Sequence, residues 1–206
     1  MVAREAVELP AEFRYALGTL RDATVRDEVA LSEAPAPQRL APHTVAFLGD
    51  VVVGGEELAT GRLVVLHDPD GQEAWAGRTR CVAYVRAGME VEIAGDPLLP
   101  AVGWSWLVEA LEGRAAPYLA AGGTVTRAAS ERFGTLAGGV DAGEFEVRAS
   151  WTPVPADGFL DLAPHLAAWA DLLCTAAGLP PDPSIWSGSG DGTLVHFPQI
   201  PRHAGT

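Results

Sequence analysis

The chain of 206 residues is long enough to bury one self-sufficient core, and its hydrophobic content of 48% is that of an ordinary globular protein. Its net charge of −13, from 27 acidic and 14 basic residues, sets up a field that repels phosphate backbones and anionic lipid. Nucleic-acid and membrane-surface binding are therefore not expected, and no uncharged run approaches the length of a membrane span.

The first ten residues, MVAREAVELP, carry Arg4, Glu5 and Glu8 where a signal peptide would be apolar. Residues 10–20 then read as a helix. Pro10 suits a first helical position, and Phe13, Ala16, Leu17 and Leu20 share one face. The stretch EVALSEAPAPQRLAPH follows, and its prolines 35, 37 and 42 restrict it to an extended connector or a sheet edge.

Three strands come next. HTVAFLGDVVV is β-branched and closed by Gly54-Gly55, and ELATGRLVVLHD ends at DPDG, whose Pro and Gly fit a turn. EAWAGRTRCVAYVRAGMEVEI returns, which predicts an antiparallel hairpin about that turn. Along it Arg78, Arg80, Val82, Tyr84 and Arg86 alternate with small apolar residues, the pattern of a half-solvated sheet.

Residues 96–113, DPLLPAVGWSWLVEALEG, read as a helix capped by Asp96. Trp104, Leu107, Val108 and Leu111 form one stripe, and Leu99, Trp106 and Ala110 form a second. Residues two apart lie about 200° around a helix, so the two indoles point to nearly opposite sides. Burying an indole is worth about 4–6 kcal/mol. Two surfaces are therefore expected to cover this helix: the sheet on the Trp104 side, and the last helix or a second subunit on the Trp106 side.

GTVTRAASERFG and GEFEVRASWTP predict two more strands, and residues 162–177 a final helix with Leu162, Leu166, Trp169 and Leu173 on one stripe. Gly178 and Pro180-Pro181 terminate it. The expected architecture is an α+β fold, an antiparallel sheet with helices in the order α-β-β-β-α-β-β-α. It forms a single domain over residues 1–181, with a Gly/Ser/Pro-containing tail over 182–206.

No nucleophile elbow, phosphate-binding glycine loop or zinc spacing is found, so no catalytic, cofactor-binding or metal-binding residue is assigned and no cofactor is expected. His67, ahead of DPDG, reads as a strand-end or turn residue. Cys81 and Cys174 have no partner motif and read as buried, reduced thiols in a cytoplasmic protein. The charged strand residues allow a second reading. Arg78, Arg80, Arg86 and Arg148 could fork onto an anion, and the pairs Glu90/Glu92 and Glu144/Glu146 could serve as a cation or acid–base site. The ordinary reading is cross-strand pairing between those same groups.

RLAPHTVAFLGDV, LATGRLVVLHDPDGQEAWAG, DPLLPAVGWSWLVEAL, GTVTRAASERFG and RASWTP together resemble the actinobacterial family called domain of unknown function 3000. The use of Arg for every basic residue, and the absence of Lys and Asn, suit the high-GC genome this implies. The resemblance implies a cytosolic protein and assigns no catalytic residue. The element order and acidity alone also resemble those of type III secretion chaperones, small dimeric binding proteins; fold does not fix function. The leading expectation is a non-enzymatic, chaperone-like or adaptor protein. It would bind a protein partner or itself, as a homodimer, through Leu99, Trp106 and Ala110. The competing expectation is a small-molecule or anion-binding protein or enzyme, using the Arg/Glu-lined sheet face.

Overall fold

A computed structural model describes residues 9–37, 39–137 and 142–182. Four helices and six strands follow in chain order: α1 (Ala11–Arg21), β1 (Val29–Ala34), β2 (His43–Val53), β3 (Glu56–Gln72), β4 (Gly77–Met89), α2 (Val91–Gly95), α3 (Leu99–Gly113), β5 (Tyr118–Ser130), β6 (Ala142–Pro153) and α4 (Ala163–Ala176). The strands form one antiparallel sheet in the order β1-β2-β3-β4-β6-β5, and the fold is α+β. The expected tail lies outside the described residues from position 183 onward.

Alternation along the strands sorts the sheet into two unlike faces. Val45, Phe47 and Val51 of β2, Leu63 and Val65 of β3, Cys81, Ala83 and Val85 of β4, and Phe145, Val147 and Trp151 of β6 are buried on one face. α4 lies across that face and is buried almost all round, as a helix with apolar residues on every side must be. Trp169 and Leu173 of its expected stripe face the sheet. The Trp169 indole rests where Gly49 of β2 and Gly61 of β3 leave no side chain. α3 and α1 flank α4, and Phe13 of α1 stacks on His67 with ring centroids 4.8 Å apart. Arg114, just after α3, forks onto Asp171 of α4 at 2.5 and 2.8 Å.

The proline-rich connector begins as β1, a six-residue edge strand that stops at Pro35. The Gly54-Gly55 turn joins β2 to β3, with both glycines at positive φ. The β3–β4 hairpin forms as expected, but it does not turn at DPDG. β3 continues through Asp68–Gly71 as an irregularity and reverses at a short 3-10 turn, Glu73–Trp75. Asp68 holds that detour in place by accepting hydrogen bonds from the Asp70 N–H and the Gln72 side chain, both at 3.1 Å. His67 is consequently not a turn residue; it is buried in the sheet and shares a hydrogen bond with Thr79 at 2.9 Å.

α3 and α4 end alike. After α4, the Leu179 and Gly178 N–H groups donate to the Cys174 and Thr175 carbonyls, with Gly178 at φ 75°. After α3, the Ala116 and Ala115 N–H groups donate to the Leu111 and Glu112 carbonyls, but the left-handed position is held by Ala115 at φ 50°. A Cβ there is strained. Replacing Ala115 with glycine should therefore raise stability by about 0.5–1 kcal/mol, after the entropy cost of glycine in the unfolded chain. Urea unfolding of Ala115→Gly checks this, and an unchanged or lowered midpoint contradicts it.

Candidate functional site on the open face of the sheet

Among the described residues, the second face of the sheet carries no helix. Its β1-side end is closed by a small satellite cluster in which Ala34, Ala36, Ala41 and Trp75 pack over Ala46, Val64 and Leu66. Beyond that cluster the face is open, and strand register lines its side chains up in rows that cross the strands. One row runs Leu48, Arg62, Tyr84, Arg148, Thr124; the next runs Ala46, Val64, Val82, Ser150, Gly122; the third runs Thr44, Leu66, Arg80. The middle row is made of small or apolar side chains between taller neighbours. The result is a shallow trough of about 450 Å³, with Arg62, Tyr84 and Arg148 on one wall and Val64, Val82, Ser150 and Gly122 beneath.

The trough has fixed walls. The Arg148 guanidinium sits over the Tyr84 ring, 5.6 Å from its centroid, and pairs with Glu146 at 2.8 Å. The Tyr84 hydroxyl donates to the same carboxylate at 3.0 Å. Burial pushes the Tyr84 hydroxyl above its ordinary pKa, helped by that bond. Burial also pushes the Glu146 carboxyl up, but its bonds to Arg148 and Tyr84 together outweigh this and hold it below the usual carboxylate range. Arg62 donates to the Pro35 carbonyl at 2.6 Å, which ties the connector to the wall. Arg80 donates to the Ser150 hydroxyl at 2.7 Å, the Thr152 hydroxyl at 3.0 Å and the Ala120 carbonyl at 2.9 Å. Neither Arg62 nor Arg80 has a carboxylate partner among the described residues.

The candidate residues read from the sequence scatter more than expected. Arg80, Arg86, Glu144, Glu146 and Arg148 do share the open face. Arg86 is paired with Glu144, and Arg148 with Glu146, so these groups neutralise one another. Arg78 reaches away to Glu12 of α1 at 3.3 Å. Glu90 and Glu92 are not on a strand at all. Pairing of β4 with β6 ends at Met89 opposite Gly143, and the chain then turns into α2, where Glu90 is the N-cap and Glu92 lies in the first turn. Gly143 explains the turn, because a Cβ there would lie 2.7 Å from the Ala94 Cβ, so α2 can sit directly on the strand.

The second stripe of α3 is covered by this chain itself. Leu99 and Ala110 are buried in the core, and the Trp106 ring lies 5.4 Å from the Phe145 ring of β6. Trp104, expected in the core, is half-buried over Gly123 of β5. The contact line of the helix is Gly103, where a Cβ would come within 2.5 Å of Phe145. Trp104 lies about 100° to one side of that line and Trp106 about 60° to the other. Both indoles therefore flank the contact, and the sheet-facing direction runs between them. Sequence reasoning missed Arg62, Tyr84 and Val64 as trough residues. Their alternation in ATGRLVV and CVAYV marks one face but not which neighbours share a row.

A family model described as protein of unknown function (DUF3000) matches residues 9–185. The chain belongs to that family. No curated protein and no solved structure matches it.

Among the described residues of this DUF3000 protein, no group of three or more His, Cys, Asp or Glu side chains is arranged to hold a metal ion, and no helix is long and apolar enough to cross a membrane. Cys81 and Cys174 are buried free thiols whose pKa values burial raises, so neither is an activated nucleophile. His165 accepts a hydrogen bond from the Trp151 indole N–H at 3.1 Å, which leaves its proton on the buried, unpartnered Nε2. Burial lowers its pKa to about 4, and burial likewise lowers that of His67. Because the folded value of His165 lies below the unfolded 6.5, the unfolded chain binds more protons between these limits. Stability contributed by the neutral ring is present above pH 6.5 and lost as pH falls toward 4, by about 3 kcal/mol. His165→Gln keeps an acceptor for Trp151 and removes the titration. Urea unfolding between pH 7 and 4.5 should show a shallower loss of stability in this variant by close to one proton, whereas identical slopes would contradict the assignment.

Proposed function

We propose that this protein is a non-enzymatic binding protein of the cytoplasm, chaperone-like or adaptor in role, that takes an extended segment of a protein partner on the open face of its sheet. The observation that supports this reading is the trough of about 450 Å³ crossing the strands, floored by Val64 and Val82 and walled by ion-paired and hydrogen-bonded side chains. A chain laid across that row can bury apolar side chains against the floor and hydrogen-bond to Ser150 on the floor and to Thr124 and Tyr84 beside it. The charges of the face are mostly consumed by each other, which suits recognition rather than proton transfer. No cofactor is needed for such a role.

A second reading, a small anionic ligand, is favoured by one observation: Arg62 lines the trough and Arg80 reaches its Ser150 from the next row, and neither has a carboxylate partner among the described residues. One experiment separates the two. A photo-crosslinking amino acid placed at Val82, on the trough floor, should yield a discrete protein adduct in native-host cells, and Tyr84→Ala in the same chain should suppress it. The same group at Val102, exposed on α3, serves as the control. No adduct beyond that of the control, together with a small acid co-purifying with the wild-type chain and lost in Arg62→Gln, would overturn the protein-partner reading in favour of the second.

A further inference from the structure

The two edges of the sheet are finished differently. β1 is six residues long, carries Glu33 and runs straight into Pro35, with Pro37 two residues on, so it offers little backbone for another strand to pair with. β5 is thirteen residues long and contains neither proline nor carboxylate. Its one charged side chain, Arg127, is folded back onto the carbonyl oxygens of Ala94 and Gly95 at 2.8 and 2.9 Å. Among the described residues, the outer side of β5 from Gly122 to Ser130 is thus a row of backbone donors and acceptors with no proline, carboxylate or bulge to protect it.

We propose that this edge pairs antiparallel with β5 of a second copy, about a twofold axis at Thr126, and joins two sheets into one. The inference is independent of what fills the trough. Against β6, β5 is in unbroken register from Gly122 to Ser130, with an irregularity between Leu119 and Gly122. Self-pairing of that unbroken segment is centred on Thr126. It places Gly122 opposite Ser130, Thr124 opposite Ala128, and Val125 opposite Arg127, so no like charges face each other. The side chains are small, and the segment carries no acidic residue in a chain of net charge −13, which spares the contact the repulsion found elsewhere on the surface.

The strand's flanks supply apolar contacts at both ends of the ladder. Phe133 is 75% exposed and Leu136 66% exposed just after β5, and Leu119 is 38% exposed near its start. The twofold axis brings the Phe133 flank of each copy toward the Leu119 flank of the other, beyond the irregularity between Leu119 and Gly122, and does so twice. Exposed apolar side chains of this size are available there to be buried when two copies meet. Both open faces then lie on one side of the joined sheet.

The test uses the full chain. Directly opposed residues of antiparallel strands have Cα atoms about 4.5–5.5 Å apart, within disulfide range. Thr126→Cys should therefore form a covalent dimer under mild oxidation. Thr124→Cys, opposite Ala128, and Ser32→Cys on β1 should not, and the wild-type chain should not, because Cys81 and Cys174 are buried. Thr126→Lys faces Glu146 within its own sheet and so is compatible with the fold, but it sets two ammonium groups together at the axis. Sedimentation should show a wild-type dimer that Thr126→Lys weakens by at least about tenfold. Thermal melts should show both chains folded. A wild-type chain that stays monomeric at high concentration, a dimer indifferent to Thr126→Lys, or equal crosslinking from all three cysteine positions would overturn the proposal.

Discussion

The seat of Trp169 on Gly49 and Gly61 organises the molecule. A Cβ at Gly49 would stand 2.9 Å from the indole, and one at Gly61 would stand 2.6 Å from the Tyr84 carbonyl and 2.8 Å from Leu173. Bare backbone at these two opposed positions lets so large a ring approach the sheet closely. The indole N–H also approaches the Tyr84 carbonyl oxygen, at 3.3 Å. With α4 held this close, its remaining sides must be covered, and α1 and α3 cover them. That places the three long helices on one face, and among the described residues no helix covers the other. Tyr84 links the two: its carbonyl meets Trp169 on the closed side, and its ring forms a wall of the trough on the open side.

The same device recurs where α3 and α2 reach the sheet. Gly103 admits the Phe145 ring, Gly123 admits Trp104, and Gly143 admits Ala94. Small residues on one partner and a ring or methyl on the other give close contact without strain. The bidentate pair between Arg114 and Asp171 then locks α3 to α4 in a half-buried setting, where both charges are compensated. Packing of this kind explains how the open face can stay flat and shallow without contributing to the main core. That face is free to carry polar walls around a small apolar floor.

Much of this was legible from local pattern. β6 alternates through most of its length, Trp169 and Leu173 of the last helix's stripe do meet the sheet, and the prolines after β1 do mark an edge. The α+β class and the DUF3000 family were legible as well. What local pattern missed depended on partners distant in sequence. DPDG has turn chemistry, yet Asp68 and the pairing partners of β3 carry the chain past it. Glu90 and Glu92 continue a strand-like alternation, yet β6 stops pairing at Gly143 and the chain folds over into α2. Two tryptophans on opposite sides of α3 suggested two covering surfaces, because nothing local revealed that the sheet meets the helix at Gly103, between them. The trough was invisible for a related reason. Its rows combine one residue from each of several strands, and only the register brings Arg62, Tyr84 and Arg148 into line.

The account rests on the steric fit between Trp169 and the glycine seat, and a double-mutant cycle on stability measures that fit directly. Gly49→Ala adds a methyl group whose three nearest contacts are side-chain atoms of Trp169 and Leu173. It should cost about 1–3 kcal/mol in the native background. In a Trp169→Phe background, where the ring is smaller, the same change should cost less than half as much, a coupling of neighbouring sites read from urea unfolding. Equal costs in both backgrounds, additive to within about 0.5 kcal/mol, would mean that the indole does not occupy this seat and would contradict the account.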